Sequence, residues 1–275
     1  MKQKPYLGMR PGDLDGKRYA RFWQPEMRPL QPQVARAVER GGEAPGLCLG
    51  LADADQLLAP GNLPLENGFS RLEDGTLFVA ARTNMPQVTG AMFEWWMGWH
   101  YMENQRYKLW HPGAHLENGT AEMRGDDTKR SDREKYRTTH RVTEYVGKRV
   151  EKITITFHEP GAYFSDLSCA EENGTTALVC GRVRLQRAPV TIGHLIHQIR
   201  EADGESEMRS RFWLGRPQID TLAPDNPLNR LLRSGPVSQL ALPPRLGRDM
   251  LIHCGMEMHH LARFLPNLYA EYHPE

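Results

Sequence analysis

The 275-residue sequence contains only four cysteines, and no two of them form a CxxC pair. Cysteines this far apart argue against a disulfide framework and against a zinc site built from thiolates. We therefore expect all four to be reduced and structural: Cys48, Cys169, Cys180 and Cys254.

The sequence also lacks long apolar runs and an excess of charge of either sign. No run approaches the roughly eighteen apolar residues of a membrane span, and "MKQKPYLGMRPGD" has no apolar segment after its lysines. We expect a cytoplasmic protein with no membrane partner. The 35 Lys and Arg residues nearly balance the 34 Asp and Glu residues, so no nucleic-acid partner is expected either.

Proline and glycine are frequent in the first 75 residues, where periodic apolar runs are few. The exception is "PQVARAVERGG", which predicts a short helix stopped by glycines. We predict a small N-terminal companion region over residues 1–75 and a main domain over residues 76–275, which is long enough to bury a core.

A helix with an aromatic face is predicted in "MPQVTGAMFEWWMGWHYMEN", starting at Pro86. Apolar residues recur there at three-to-four spacing: Val88, Met92, Trp95, Trp96 and Trp99. Such a face is more typical of a core or a subunit contact, as in a homodimer, than of a ligand wall. The charged segment "GDDTKRSDREKYR" shows no period and predicts a solvated loop.

Period-two alternation predicts strands in "HRVTEYVG", "EKITITFHEP", "ALVCGRVRLQ" and "EMRSRFWLG", and we favour a strand for the ambiguous "TIGHLIHQIRE". The closing "RDMLIHCGMEMHHLARFLP" carries an apolar stripe and predicts a long helix that ends at Pro266. Several antiparallel strands followed by one long helix predict an α+β fold, with a sheet curved around that helix and a cavity inside.

His253 and Glu257 are four residues apart, so their side chains share one face of the terminal helix. Such a pair usually forms only a solvated hydrogen bond. It can also chelate zinc or a similar divalent metal, which needs one or two further ligands. Candidates for these are His111, His115, His140 and Glu144. A carboxylate such as Glu144 on a concave sheet face is costly unless a cation or metal pairs with it.

The order of six motifs resembles the family of 2,4-diacetylphloroglucinol hydrolase and phloretin hydrolase. They are "WWMGWH", "RYKLWHPGAHLEN", "HRVTEYVG", "HLIHQIR", "EMRSRFW" and "HCGME", within residues 80 to 265 or so. The resemblance implies a zinc-dependent enzyme that hydrolyses the carbon–carbon bond between an acyl group and a polyhydroxylated aromatic ring. It also implies a helix-grip fold like that of the Bet v 1 proteins.

The resemblance further implies roles for individual residues. The zinc ligands would be His115, Glu144, His253 and Glu257, with Glu117 or Glu151 replacing Glu144 in a different alignment. Tyr107 and Asn118 would contact the ring hydroxyls, and His197 would be an acid–base or orienting residue. Read without the family, Tyr107 is a candidate buried tyrosine, and His197 is typical of a core histidine whose hydrogen bonds are satisfied.

Two positions depart from the family pattern and affect ring recognition. Phe212 stands where a second substrate-binding tyrosine is expected, and only Glu122 approximates an acidic residue expected after Asn118. The reaction type is thus better supported than the diacylphloroglucinol substrate, and another aryl or cyclic ketone fits as well.

Two other functions use the same residues. A non-catalytic binder would enclose an apolar ligand without a metal, and an ester or amide hydrolase would use the same metal ligands. In each case we expect Trp99, Phe212 and Met258 to contact the bound small molecule.

Overall fold

A computed structural model describes residues 4–202, 204–234, 242–243 and 245–273 of the chain. Its sheet has eight antiparallel strands in the order β1-β2-β8-β7-β6-β5-β4-β3. The strands are β1 Gly68–Arg71, β2 Leu77–Asn84, β3 His115–Thr120, β4 Thr139–Val146, β5 Arg149–His158, β6 Thr175–Leu185, β7 Val190–Ala202 and β8 Glu205–Ile219.

Seven α-helices accompany the sheet in the described residues: α1 Pro32–Arg40, α2 Gly90–Trp99, α3 Asn104–Trp110, α4 Asp132–Tyr136, α5 Pro227–Leu232, α6 Arg245–Ala262 and α7 Leu265–Tyr272. Short 3-10 turns lie at Arg18–Phe22, Pro45–Leu47, Leu51–Leu58, His100–Met102 and Pro160–Ala162. The predicted mixture of helix and antiparallel sheet is confirmed, and so is the strand in "TIGHLIHQIRE".

Helix α6 lies along one face of the sheet and contacts β1, β2 and β4. Because β2 and β4 are five places apart in the strand order, the sheet must curve around this helix to reach it from both sides. The apolar stripe of α6, including Leu251, Met258 and Leu261, joins inward-facing strand residues such as Val79 and Leu195 in the main core.

Helix α1 packs against α6 at Gly255. A Cβ atom at residue 255 would lie 2.8 Å from Cγ1 of Val34 and 3.1 Å from Cδ2 of Leu30. The glycine inside the helix therefore permits a close approach that any larger residue would block.

Residues 49–65 cover the other face of the sheet and form a second core there, in which Leu57 packs with Phe78, Ile196 and Trp213. The indole N–H of Trp213 donates to the carbonyl oxygen of Leu49 at 2.7 Å. The boundary expected at residue 75 falls between β1 and β2, which pair with each other, so the first 75 residues supply an edge strand of the sheet.

This second face buries two arginines of β8. Arg209 and Arg211 are fully buried, and both bond to Glu66, with Arg209 Nη2 lying 2.7 Å from Glu66 Oε1. Burial acts to raise the pKa of Glu66, but the charges of Arg211 and Arg209 outweigh it and lower the pKa to about 2. Glu66 directly follows the covering segment of residues 49–65, and its two ion pairs hold this segment to β8.

The start of α2 differs from the prediction. The helix begins at Gly90, because the Thr89 side chain caps it by accepting from the Met92 N–H at 3.2 Å. Pro86 precedes this cap, and Gln87 between them has a φ of 69°, which a helix excludes.

Two further predictions were wrong, one about a loop and one about the residue at which a helix ends. The charged segment predicted as a loop contains α4, whose Ser131 and Glu134 form a capping box and whose Tyr136 is fully buried. Helix α6 ends at Ala262, and Pro266 lies in the first turn of α7, where its missing N–H costs no hydrogen bond.

The four cysteines are free, as predicted. No helix in the described part of the chain is long and apolar enough to cross a membrane.

We predict that Glu66→Gln lowers the free energy of unfolding by about 3–5 kcal/mol, because it leaves two buried guanidinium groups without their counter-charge. Urea unfolding monitored by tryptophan fluorescence measures the change. Glu73→Gln is the matched control, since Glu73 is exposed, and its effect should stay within about 0.5 kcal/mol. Equal losses in both variants would contradict the assignment.

The same carboxylate predicts a pH dependence of stability. Its folded pKa of about 2 lies below the roughly 4.3 of an unfolded glutamate. The stabilisation is therefore complete above about pH 4.3 and is lost as the pH falls toward 2. The difference in free energy of unfolding between the wild-type chain and Glu66→Gln should narrow as the pH falls through this window. A constant difference would be evidence against the lowered pKa of Glu66.

Candidate metal centre and its cavity

A cavity of about 380 Å³ lies between the concave face of the sheet and α6. A volume of this size suits a small organic ligand. The polar side chains in its lining are those of His100, Tyr107, His115, Asn118, His140, Glu144, Arg149, Glu151, His197, His253 and Glu257.

Strand pairing brings His115 and Glu144 together. His115 is the first residue of β3 and lies directly opposite Glu144 on β4, with His115 Nε2 3.6 Å from Glu144 Oε2. The "HPGAH" segment forms a turn before β3, so the chain enters the strand at His115.

Helix α6 supplies the other two predicted ligands from one face. His253 Nε2 lies 3.6 Å from Glu257 Oε2, one turn along the helix, and His115 Nε2 lies 3.5 Å from the same oxygen. Donor atoms of His115, His253 and Glu257 all fall within 4.8 Å of one another, whereas Glu144, the fourth predicted ligand, lies beside His115 but outside this cluster. The described residues contain no other cluster of three such donors at this spacing.

The hydrogen bonding of His115 leaves its Nε2 free to bind a metal ion. Its Nδ1 lies 3.0 Å from the Tyr107 carbonyl oxygen, which can only accept, so the proton is on Nδ1. Burial, followed by the nearby His111 and His253, holds the pKa of His115 well below its usual range. Its Nε2 is buried and has no hydrogen-bond partner in the described structure. A neutral imidazole fixed through its other nitrogen is the usual state of a metal-bound histidine.

Two carboxylates share this site. Burial raises the pKa of Glu257 well above its usual range, and the charge of Glu144 adds to the effect. Two buried carboxylates are costly unless a cation neutralises them. A set of two imidazoles and two carboxylates fits zinc in donor type and charge.

Tyr107 on α3 contacts both Glu144 and His115. Its hydroxyl donates to Glu144 Oε2, and its ring stacks on the His115 ring with centroids 3.8 Å apart and an interplanar angle of 7°. Burial and the Glu144 charge raise the pKa of Tyr107 well above 10, so the phenol stays protonated.

Asn118 on β3 offers free hydrogen-bonding groups to the cavity. Both Oδ1 and Nδ2 of its amide are buried without a hydrogen-bond partner among the described residues. A buried amide without partners is costly, and a ligand that can both donate and accept would remove that cost.

His197 on β7 lies in the cavity wall, with its Nδ1 2.8 Å from Ser210 Oγ. The rings of Phe93 and Phe212 meet it edge-on, at centroid distances of 6.1 Å and 5.6 Å. Burial lowers the pKa of His197 to about 3, so the ring is neutral near pH 7. Nε2 is then the nitrogen left for a ligand.

Phe212 lines the cavity, but Trp99 and Met258 are not in its lining. Trp99 stacks on Trp95 at 5.4 Å, and the Arg106 guanidinium lies 4.3 Å from a Trp99 ring centroid. Met258 is fully buried in the main core. The aromatic face of α2 therefore packs into the core, as the sequence analysis favoured, and Trp99 and Met258 lie outside the cavity lining.

The other candidate ligands lie around the donor cluster. The His111 ring stacks on His253 with centroids 4.8 Å apart, and His140 Nε2 bonds the Tyr136 carbonyl oxygen at 3.1 Å. Neither belongs to the cluster.

The two substitute carboxylates differ in position. Glu151 lines the cavity directly opposite Glu144, whereas Glu117 follows a bulge after His115 and lies outside the lining. Glu122, the approximate acidic counterpart, is exposed and pairs with Arg124. Ser210 was missed in the sequence, although a serine on the same strand face as Met208, Phe212 and Leu214 was an available signal.

Comparison with known proteins defines the class. The family model of the DAPG hydrolase PhiG domain matches residues 49–270. A 2,4-diacetylphloroglucinol hydrolase from Pseudomonas sp is 29% identical over 263 residues, covering 93% of this chain and 88% of the relative. Phloretin hydrolase from Eubacterium ramulus is 27% identical over 257 residues, covering 92% of this chain and 89% of the relative.

The chain is therefore a hydrolase, consistent with action on carbon–carbon bonds in ketones. It belongs to the DAPG hydrolase PhiG domain family, which confirms the resemblance inferred from the motifs. Similarity to solved structures is low: the structure of Ara h 8.0201 aligns with a TM-score of 0.37 and 10% identity, over 69% of this chain and 97% of that one.

We predict about one divalent ion per chain by elemental analysis, and almost none in His253→Ala or Glu257→Gln. Added zinc should raise the melting temperature of the wild-type chain but not of these variants, since only a folded chain with donors binds it. His259→Ala is the control, because His259 lies on the same helix but bonds the Pro29 carbonyl oxygen. Retention of a stoichiometric ion by both donor variants would disprove the site.

Proposed function

We propose that the chain is a zinc-dependent hydrolase that cleaves the carbon–carbon bond between an acyl group and a hydroxylated aromatic ring. The main supporting observation is the cluster of His115, His253 and Glu257, with Glu144 3.6 Å from His115, in a cavity beside the free amide of Asn118. The names of the two relatives support the choice of an acylphloroglucinol-like ketone.

Breaking this bond needs an activated water and a protonated leaving carbon. A zinc ion held by the four donors would polarise the carbonyl and lower the pKa of water to about 7. The water oxygen bonds to the carbonyl carbon, and the bond from that carbon to the ring breaks. The ring carbon keeps the electron pair and takes a proton, so one water yields a carboxylic acid and the deacylated ring.

The chain's own residues orient the substrate in this scheme. Asn118 uses both atoms of its amide to hold ring hydroxyls, since neither atom has another partner in the described chain. Tyr107 keeps Glu144 in place through its hydroxyl and is close enough to the donors to contact a ring oxygen. Ring hydroxyls matter because they give the ring a keto tautomer that accepts a proton at carbon.

His197 is the residue we assign to proton movement or ring orientation. Its Nδ1 is engaged with Ser210, which leaves Nε2 to face the substrate. In this role Nε2 accepts a proton from a ring hydroxyl and returns it to the ring carbon, while Nδ1 stays bonded to Ser210.

Phe212 shapes the choice of substrate. It lines the cavity beside His197 and cannot bond a phenolic oxygen. We therefore propose a hydroxylated aryl ketone with fewer anchored hydroxyls than 2,4-diacetylphloroglucinol, or a related cyclic ketone.

We further propose that the curved sheet and α6 form a helix-grip fold, on the basis of the contacts of α6 with both β2 and β4. In a non-catalytic version of this fold the cavity would bind its ligand with no need for a metal. An ester or amide hydrolase would use the same four donors.

Product analysis separates these functions. The zinc-loaded chain is incubated with an acylphloroglucinol, its ester analogue and its amide analogue, and products are quantified by chromatography. Equal amounts of carboxylic acid and deacylated ring from the ketone support the proposal. Turnover of only the ester or amide contradicts it, and so does full ketone turnover by metal-free His253→Ala.

We predict that Asn118→Ala lowers kcat/KM for a hydroxylated aryl ketone by roughly tenfold to a hundredfold, because a ring hydroxyl loses its partner in a buried site. Asn267→Ala, an exposed position on α7, is the matched control and should not change kcat/KM. An unchanged kcat/KM in Asn118→Ala would remove this residue from ring recognition.

A further inference from the structure

We propose that the acyl group of the substrate is an aliphatic chain longer than acetyl, seated against one side of the cavity. We call this side the apolar wall and define it as Ile153, Ile155, Val183, Leu185, Leu214 and Met250. The inference rests on the proposed function and names the substrate class more narrowly.

The sheet side of the apolar wall is continuous across neighbouring strands. Ile153 on β5 lies opposite Leu185 on β6, and Ile155 lies opposite Val183. Among the described residues, every side chain that β6 and β8 contribute to the cavity lining is apolar. A polar group placed against Val183, which is 5% exposed, would lose its bonds to water without replacement.

The side of helix α6 that lines the cavity also has an apolar part and a polar part. Its cavity-lining residues are Leu246, Met250, His253 and Glu257, at spacings of four, three and four. The first two are apolar and the last two are metal donors. The apolar wall therefore begins one turn of helix from the proposed position of the scissile carbonyl.

The polar side chains of the lining fix the direction of the substrate. Tyr107 and Asn118 lie on α3 and β3, next to the donor His115, and β3 is the edge strand three places from β6 in the strand order. The charged residues Arg149 and Glu151 are confined to the start of β5, with Glu151 opposite Glu144. A ring held at Asn118 with its carbonyl at the donors leaves its acyl chain to run along Met250 and the rest of the apolar wall.

A series of monoacylphloroglucinols from acetyl to decanoyl tests the inference. We expect kcat/KM to rise about threefold to fourfold for each added methylene until the chain fills the wall. Phloretin, whose acyl group ends in a phenol, should be a poorer substrate than the hexanoyl compound. A kcat/KM that is flat or falls with chain length would overturn the inference.

Val183→Phe is designed to fill the apolar wall and should lower the ratio of octanoyl to acetyl kcat/KM at least tenfold. Ile153→Thr, which shortens the side chain and replaces its ethyl group with a hydroxyl, should lower the same ratio less. Val150→Phe is the matched control, since Val150 lies on β5 but is 43% exposed and outside the lining. An unchanged ratio in Val183→Phe would contradict the assignment.

Binding of 5-alkylresorcinols by calorimetry separates this inference from the reaction. These compounds have no carbonyl to cleave, so their dissociation constants report the cavity alone. A fall of about threefold per methylene supports the apolar wall even if no ketone is hydrolysed, in which case the proposed reaction fails by itself. Flat affinities alongside ketone hydrolysis would overturn the wall and leave the hydrolase intact.

Discussion

The charge of two buried carboxylates is the constraint on which the site depends. Glu144 and Glu257 come from opposite walls of one cavity, and each is within 3.6 Å of the same imidazole nitrogen. A protein interior tolerates this only with a compensating cation or a bound proton. Burial lowers the pKa of His111 to about 2 and that of His115 well below its usual range, so neither ring carries positive charge near pH 7, and a divalent ion would balance the site.

Residues on both faces of the sheet help to position the site. On β8, Ser210 faces the cavity and bonds His197, while its neighbours Arg209 and Arg211 face the other way and bond Glu66. The strand is thus held from behind by ion pairs at the position where its front face orients a proposed catalytic group. Alternation along a strand makes this possible, because successive side chains serve different layers.

Sequence patterns predicted the elements well and the contacts between them less well. Period-two alternation identified the strands, and four-residue spacing placed His253 and Glu257 together. The pairing of His115 with Glu144 depends on the register of β3 and β4, which local pattern does not encode, so it rested on family resemblance. Trp99 and Met258 lie in the core outside the cavity lining, a distinction that helical periodicity cannot make because it shows that a face is buried but not against what. The helix start predicted at Pro86 and the helix end predicted at Pro266 were wrong, because proline tolerates several positions near a helix start.

The close contact of α1 with Gly255 links the far N-terminal part of the chain to the metal donors. Gly255 lies between His253 and Glu257 on α6, so the surface that α1 covers is the back of the donor-bearing turn. The family match starts at residue 49, beyond this helix. A chain trimmed to the matched span would keep all four proposed ligands yet leave that turn without its support, so the functional unit extends further toward the N-terminus than family membership alone indicates.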